Sequence, residues 1–250
     1  MWTKDLFGTD KPIIALLHLD ALPGEPAFCG SLDTIMEHAA ADLDALQAGG
    51  VDGVLIANEY CFPITPNTST VTLMAMAAVI GSLKKDIRIP FGVNVVYNPA
   101  ETIKMAAALG ASFGRSAFGG AYTGAYGLHS VNFGDMVRLK YTLGHPEIKL
   151  LCKFNPEGDA RLGSQTTEEV MNGLCQGGFM GALCVSGPGA GQEASMGYLE
   201  EVAALAKKKN VPVFCNTGCH HDTIEKTTLK GPDGRVDLEK VKSFMEIARR

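Results

Sequence analysis

ALQAGGVDGVLIAN, residues 45–58, decides the fold. An amphipathic stretch ends in paired glycines, and a short apolar run follows and stops at a polar residue. Glycine suits the position just past a helix because it takes the left-handed conformation at little cost. GVLIA is too short and too apolar for an exposed helix, and fits a parallel strand covered on both faces. The same logic recurs in AAALGASFGRSAF (106–118) and LCQGGFMGALCVSG (174–187).

Extended along the chain, this pattern predicts seven strands, at 13–18, 53–57, 91–95, 112–116, 149–153, 181–185 and 211–216. Helices are expected at 32–48, 69–83, 100–109, 133–143, 167–176, 196–208, 219–226 and 237–249, the last capped by Asp237. Strands alternating with helices make an α/β fold with a parallel sheet. The 250 residues match the typical length, about 250, of one (β/α)8 TIM barrel, and no linker divides them. A doubly wound open sheet would place a glycine-rich dinucleotide loop after the first strand; LDALPGEPAFCG (19–30) has the wrong spacing and too many prolines.

VPVFCNTGCHHDTIEKTTLKGPDGR (211–235) breaks the alternation. The seventh strand ends in Asn-Thr-Gly and a helix begins, yet Lys226 runs straight into Thr227 where an eighth strand should lie. A crossover and strand need on the order of a dozen residues, and a seven-stranded barrel leaves two open edges. The expectation is that a stretch belongs between Lys226 and Thr227; an intact mass equal to that of these 250 residues would refute it.

Formal net charge is −5 with 20% charged residues and no basic cluster, which argues against nucleic acid as a partner. No apolar run approaches the roughly 20 residues that span a bilayer, so membrane insertion is not expected. The start, MWTKDLFGTDK, lacks the apolar core of a signal peptide. Seven scattered cysteines read as buried thiols of a cytoplasmic protein.

A barrel of this kind carries its active site at the C-terminal ends of its strands. The polar residues ending each run are His18 and Asp20, Asn58 and Glu59, Asn94, Arg115, Lys153 and Asn155, Ser186, and Asn216. Any one of them could simply satisfy backbone groups or sit in a neutral ion network. Together they place several charges in a barrel mouth, where burial costs several kcal/mol each unless paired. Glu59 and Lys153 suit a general acid and base, and Lys153 could instead form a Schiff base. Arg115 suits a carboxylate or phosphate, and His18, Asp20 and Asn94 complete the candidate catalytic set. Ser186, Gly187, Gly189 and Gly191 after the sixth strand, with Asn216 and Gly218 after the seventh, are candidates for holding phosphate on backbone N–H groups. No cofactor is expected, the alternative being a divalent metal on His18, Asp20 and Glu59. The loop GGAYTGAYGLHS (119–130) reads as a flexible aromatic lid or an oligomer contact.

KPIIALLHLDALPGEP (11–26), SLDTIMEHAAADLDALQAGGVDGVLIANEY (31–60), FGVNVVYN (91–98) and VDLEKVKSFMEIAR (236–249) together resemble the BtpA/SgcQ family over nearly the whole chain. The most specific parts are His-Leu-x-x-Leu-Pro-Gly at 18–24 and Gly-Gly-Val-Asp-Gly at 49–53. The resemblance implies a TIM barrel related to ribulose-phosphate-binding barrels, with rim positions at His18, Glu59, Asn94, Arg115, Lys153, Ser186 and Gly218. One branch of the family is linked to photosystem I biogenesis and another to sugar-utilisation gene clusters. This sequence has Asn58-Glu59 where the family usually has Glu-Asn, and it lacks the family's eighth-strand segment. Three functions stay open: an isomerase, aldolase or lyase acting on a small phosphorylated sugar or carbonyl compound; a non-catalytic assembly factor; and a metal-dependent hydrolase. The expected partners are a small phosphorylated ligand and further copies of the chain in a homo-oligomer.

Overall fold

The structure, a computed structural model, describes residues 1–189, 192–216 and 229–249. All seven expected strands form. They are β1 (Ile14–His18), β2 (Gly53–Ala57), β3 (Phe91–Asn94) and β4 (Phe113–Ser116), then β7 (Lys149–Lys153), β9 (Ala182–Val185) and β10 (Val213–Cys215). The intervening β5 (Gly120–Gly124), β6 (Gly127–Val131) and β8 (Ala160–Arg161) make a separate antiparallel sheet. The seven pair in parallel in the order β1-β2-β3-β4-β7-β9-β10 and curl into a TIM-barrel wall. The expected helix at 219–226, the Lys226–Thr227 junction, Gly191 and Gly218 lie outside the described residues.

Two cores follow from the two-residue period of a strand. Ile14 and Leu16, Leu55, Phe113, Leu151, Ala182 with Cys184, and Phe214 turn inward and pack together. Their neighbours Ala15 and Leu17, Val54 and Ile56, Val93, Leu150, Leu183 and Val185 face the helices. The register keeps the inner layers aligned: Leu16 opposes Leu55, Leu55 opposes Gly92, and Gly92 opposes Phe113. A Cβ on Gly92 would fall 2.2 Å from the Phe113 ring, so the smallest residue sits beside the largest in that layer.

The outer layer is α2 (Leu32–Ala48), α3 (Thr70–Leu83), α4 (Pro99–Leu109), α5 (Phe133–Thr142), α6 (Thr167–Leu174), α7 (Met196–Lys208) and α8 (Leu238–Ala248). All but α7 have their first turns fixed by side-chain caps, from Ser31, Ser69, Asn98, Asn132, Thr166 and Asp237. The last of these helices returns to the first: α8 packs on α2, with Val241 filling the space above Gly49. Arg235, just ahead of α8, reaches Asp20 at 2.6 Å and Asp42 of α2 at 3.3 Å.

Two features were not expected. A short helix α1 (Trp2–Phe7) closes the N-terminal end of the barrel, with Trp2, Leu6 and Phe7 against the inner core and Trp2 Nε1 donating to the Gly181 carbonyl at 2.9 Å. The segment 119–130 is an ordered hairpin, not a flexible loop. Its glycines disguise the alternation that buries Tyr122 and His129, which pair across β5 and β6. Cys61, Cys152 and Cys184 are buried as expected, whereas Cys29 and Cys215 are exposed.

Asp42 is 1% exposed, and Arg235 is the cation beside it. Removing that partner strands a buried carboxylate, so Arg235→Ala is expected to destabilise the protein by about 3–5 kcal/mol in urea unfolding. Lys4→Ala, at the exposed Lys4–Asp10 pair, is expected to change stability by less than about 1 kcal/mol.

Candidate functional site

The alternation that builds the inner core also builds the site. On β1 the inward set Ile14, Leu16 ends in His18; on β3 it ends in Asn94, on β4 in Arg115 and on β7 in Lys153. One residue beyond β9 and β10, Ser186 and Asn216 continue the same faces. Apolar layers at the bottom give way to polar groups at the C-terminal mouth.

At the centre is Glu157, which the sequence reading did not single out. The chain turns back after β7, and Glu157 Oε2 meets Lys153 Nζ at 3.0 Å. Its other oxygen accepts from Ser186 Oγ at 2.9 Å and from Asn216 Nδ2 at 2.7 Å. Arg115 Nη1 donates to Asn216 Oδ1 at 2.8 Å. With the Asn94 amide oriented to satisfy both its ends, that side chain receives Arg115 Nη2 at 3.1 Å and donates to the Arg115 carbonyl at 2.8 Å. Asn155 locks the neighbouring loop by exchanging two hydrogen bonds with the Ser186 backbone. Burial alone would push the Glu157 carboxyl up. Lys153, the backbone N–H of Glu157 and Arg115 outweigh it and hold the group at about 2.

His18 takes the opposite course. Burial pushes it down, Glu59 draws it up, and Lys230, Arg115 and Lys153 push it down further, to about 4. It is therefore neutral at pH 7. Its Nε2 is buried with no hydrogen-bond partner among the described residues, as is Arg115 Nε. Tyr60 stands edge-on to the His18 ring at 5.8 Å and accepts a hydrogen bond from Lys230.

A cavity of about 220 Å³ opens beside this network, with Glu59, Asn94, Lys153 and Glu157 in its lining. The rest of its lining is mixed: the rings of Tyr97, Tyr126 and His129 with Asp159 among them, and Phe62, Ile64, Val96 and Pro156 beside them. Tyr97 has a φ of 60°, a left-handed conformation that costs a non-glycine residue roughly 1–3 kcal/mol. Its hydroxyl donates to Asp159, and its ring meets Tyr126 at 5.8 Å and His129 at 5.4 Å. Burial, then the bond to Asp159, pushes the Tyr97 phenol above its ordinary value.

The expected site residues thus fall into groups. Glu59, Asn94 and Lys153 line the cavity, as does Gly189. Ser186 and Asn216, read as phosphate ligands, spend their polar atoms on Glu157 and Arg115, and Gly187 packs against the Gln192 backbone. Arg115 lies behind Asn94 and Asn216, only 5% exposed. Asp20 is turned away to His38 at 2.7 Å and to Arg235, and Asn58 accepts from the Val96 N–H. Among the described residues no cluster of three or more His, Cys, Asp or Glu is arranged to hold a metal, so His18, Asp20 and Glu59 do not come together as one.

A family model described as the BtpA family matches residues 9–249. The putative sgc region protein SgcQ of Escherichia coli K12 is 37% identical, covering 98% of this chain and 97% of that protein. The photosystem I biogenesis protein BtpA of Synechocystis is 28% identical over 87% of this chain and 76% of that protein. The alignment to SgcQ runs over 265 positions while using 98% of 250 residues, so about 20 positions face a gap in this chain. That shortfall is the size of one crossover and strand. Among solved structures, dihydropteroate synthase from Xanthomonas albilineans matches with a TM-score of 0.51 at 16% identity, over 82% of this chain and 71% of that chain. The synthase from Stenotrophomonas maltophilia matches at 0.50 and 17% identity over the same shares. At such identity the likeness is one of fold. Among the described residues no helix is long and apolar enough to cross a membrane.

The lowered Glu157 carboxyl carries a pH signature. Its contribution is complete above the ordinary value of 4.5 and is lost as pH falls toward about 2. Wild-type protein is expected to lose on the order of 3 kcal/mol across that window from this group. Glu157→Gln is expected to flatten the curve there by about that much, and equal slopes in urea unfolding between pH 4.5 and 2 would show that the network does not hold the charge.

Proposed function

The chain belongs to the BtpA family, and from that premise and the chemistry of its barrel mouth we propose that it is an enzyme acting on a small phosphorylated sugar or related carbonyl compound. The reaction is proton transfer next to a carbonyl, of the isomerase, aldolase or lyase type. The observation that carries this reading is the partly buried Lys153–Glu157 pair, 16% and 15% exposed, set beside a small cavity whose lining also includes Glu59. A stable core alone gains nothing from such a pair, because desolvation offsets its attraction.

The roles follow from the partners. Glu157 is ionised at neutral pH and holds Lys153 Nζ at 3.0 Å, which favours Lys153 as the group that stabilises a developing enolate oxygen. No hydrogen bond among the described residues reaches the Glu59 carboxylate, which leaves it available to accept the carbon-bound proton. Arg115 positions Asn94 and Asn216 and adds positive field. Around His18 three cations, Lys230, Arg115 and Lys153, act together, which suits a ligand with an anionic end.

The test is a calorimetric and thermal-shift screen of the chain against inorganic phosphate and triose, pentose and hexose phosphates. A ligand at 100 times its dissociation constant should add about 2.7 kcal/mol of stability. Selective stabilisation by one class supports the reading; no response at saturation favours a non-catalytic assembly role, which the Synechocystis relative's name describes for that protein. Lys153→Met is expected to abolish turnover and also to destabilise by leaving Glu157 unpaired. The double variant Lys153→Met/Glu157→Gln is expected to recover stability without recovering turnover, and turnover in the double variant would overturn the role given to Lys153.

A further inference from the structure

We infer that the space beneath the β5–β6 hairpin is a subsite for a sugar ring, formed by Tyr97, Tyr126 and His129 as a stacking wall with Glu59 and Asp159 as hydroxyl acceptors. The inference rests on the reading above and specifies which part of the ligand the aromatic wall takes. Three observations point to it.

The first is chemical contrast within one cavity. Lys153, Glu157 and Asn94 share its lining with the rings of Tyr97, Tyr126 and His129. A ligand that uses both has a reactive polar group and a less polar face. Ring sugars have this character, since their C–H faces pack on aromatic rings while their hydroxyls donate to carboxylates. A flat hydrocarbon ring would leave Glu59 without a donor and Asp159 with the Tyr97 hydroxyl alone.

The second is how firmly the wall is fixed. Tyr97 keeps its left-handed backbone conformation while its hydroxyl is tied to Asp159. Asp159 is held against the hairpin so closely that a Cβ on Gly124 would fall 2.0 Å from its Oδ1. It also precedes β8, whose Ala160 and Arg161 pair with Thr123 and Tyr122 of β5. Aromatic side chains packed this way lose little freedom on binding, so they suit recognition more than closure.

The third is size. About 220 Å³ is below the roughly 300–1,000 Å³ of sites for drug-sized molecules. The occupant is a small metabolite, and the hairpin tip at Ala125 and Tyr126 sets the limit on one side.

The experiment compares the affinities of glycerol phosphate, phenyl phosphate and a panel of hexose 6-phosphates for the full chain, wild type and Tyr126→Ala, by calorimetry. At least one hexose 6-phosphate is expected to bind about tenfold more tightly than glycerol phosphate, and Tyr126→Ala to bring that ratio toward one. Equal affinity for glycerol phosphate and every hexose phosphate overturns the subsite while leaving the anion-binding reading intact. Phenyl phosphate outbinding every hexose phosphate also overturns it, because the wall then selects a flat ring. No binding by any phosphate overturns both readings. An unchanged ratio in Tyr126→Ala, with the variant's melting temperature preserved, removes the hairpin from the site.

Discussion

One partly buried carboxylate organises the mouth of this barrel. Glu157 is 15% exposed on its side chain and touches a cation and two hydrogen-bond donors from three places in the sheet. Left alone it would take up a proton or draw water inward. Its compensation requires Lys153 at the end of β7, Ser186 past β9 and Asn216 past β10, with Arg115 of β4 behind Asn216. Four strands must therefore end at matched heights. The staggered register from β1 to β10 is the apolar half of that requirement, and the Glu157 network is the polar half. The stability of the mouth and its chemical capacity come from the same contacts.

The fold was legible because parallel strands buried on both faces leave a plain signal. GVLIA and ALCV are apolar throughout, and glycines mark the helix ends before them. Most site positions were legible too, since they are the first polar residues after those runs. Glu157 was not, because it lies four residues beyond Lys153 in a turn, where no periodicity points inward. Tyr97 was hidden for the same reason, between the end of β3 and the cap at Asn98. Asp20 misled in the other direction. It follows a strand end, yet its partners His38 and Arg235 are distant in sequence and could not be read from spacing.

The hairpin shows a limit of composition as a guide. GGAYTGAYGLHS has the glycine content of a mobile loop, and its strands become visible only through the Tyr122–His129 pair. Here glycine provides clearance: Asp159 fits against Gly124 because there is no side chain in between. Aromatic residues on this small sheet meet Tyr97 from the β3–α4 connection. A decoration on the barrel thus becomes one wall of its cavity.

The chain has a single tryptophan, and it stands at the far end of the barrel from the cavity. Trp2 donates to the carbonyl of Gly181, just ahead of β9, with the Lys149 ammonium 5.9 Å from its ring. The aromatic groups around the mouth are tyrosines, histidines and Phe62. Nature has in effect placed two separate optical probes in one molecule. Indole emission reports whether the base of the barrel is sealed, and tyrosine absorbance reports what happens above it. Occupancy of the mouth and opening of the base can be followed at different wavelengths without any label.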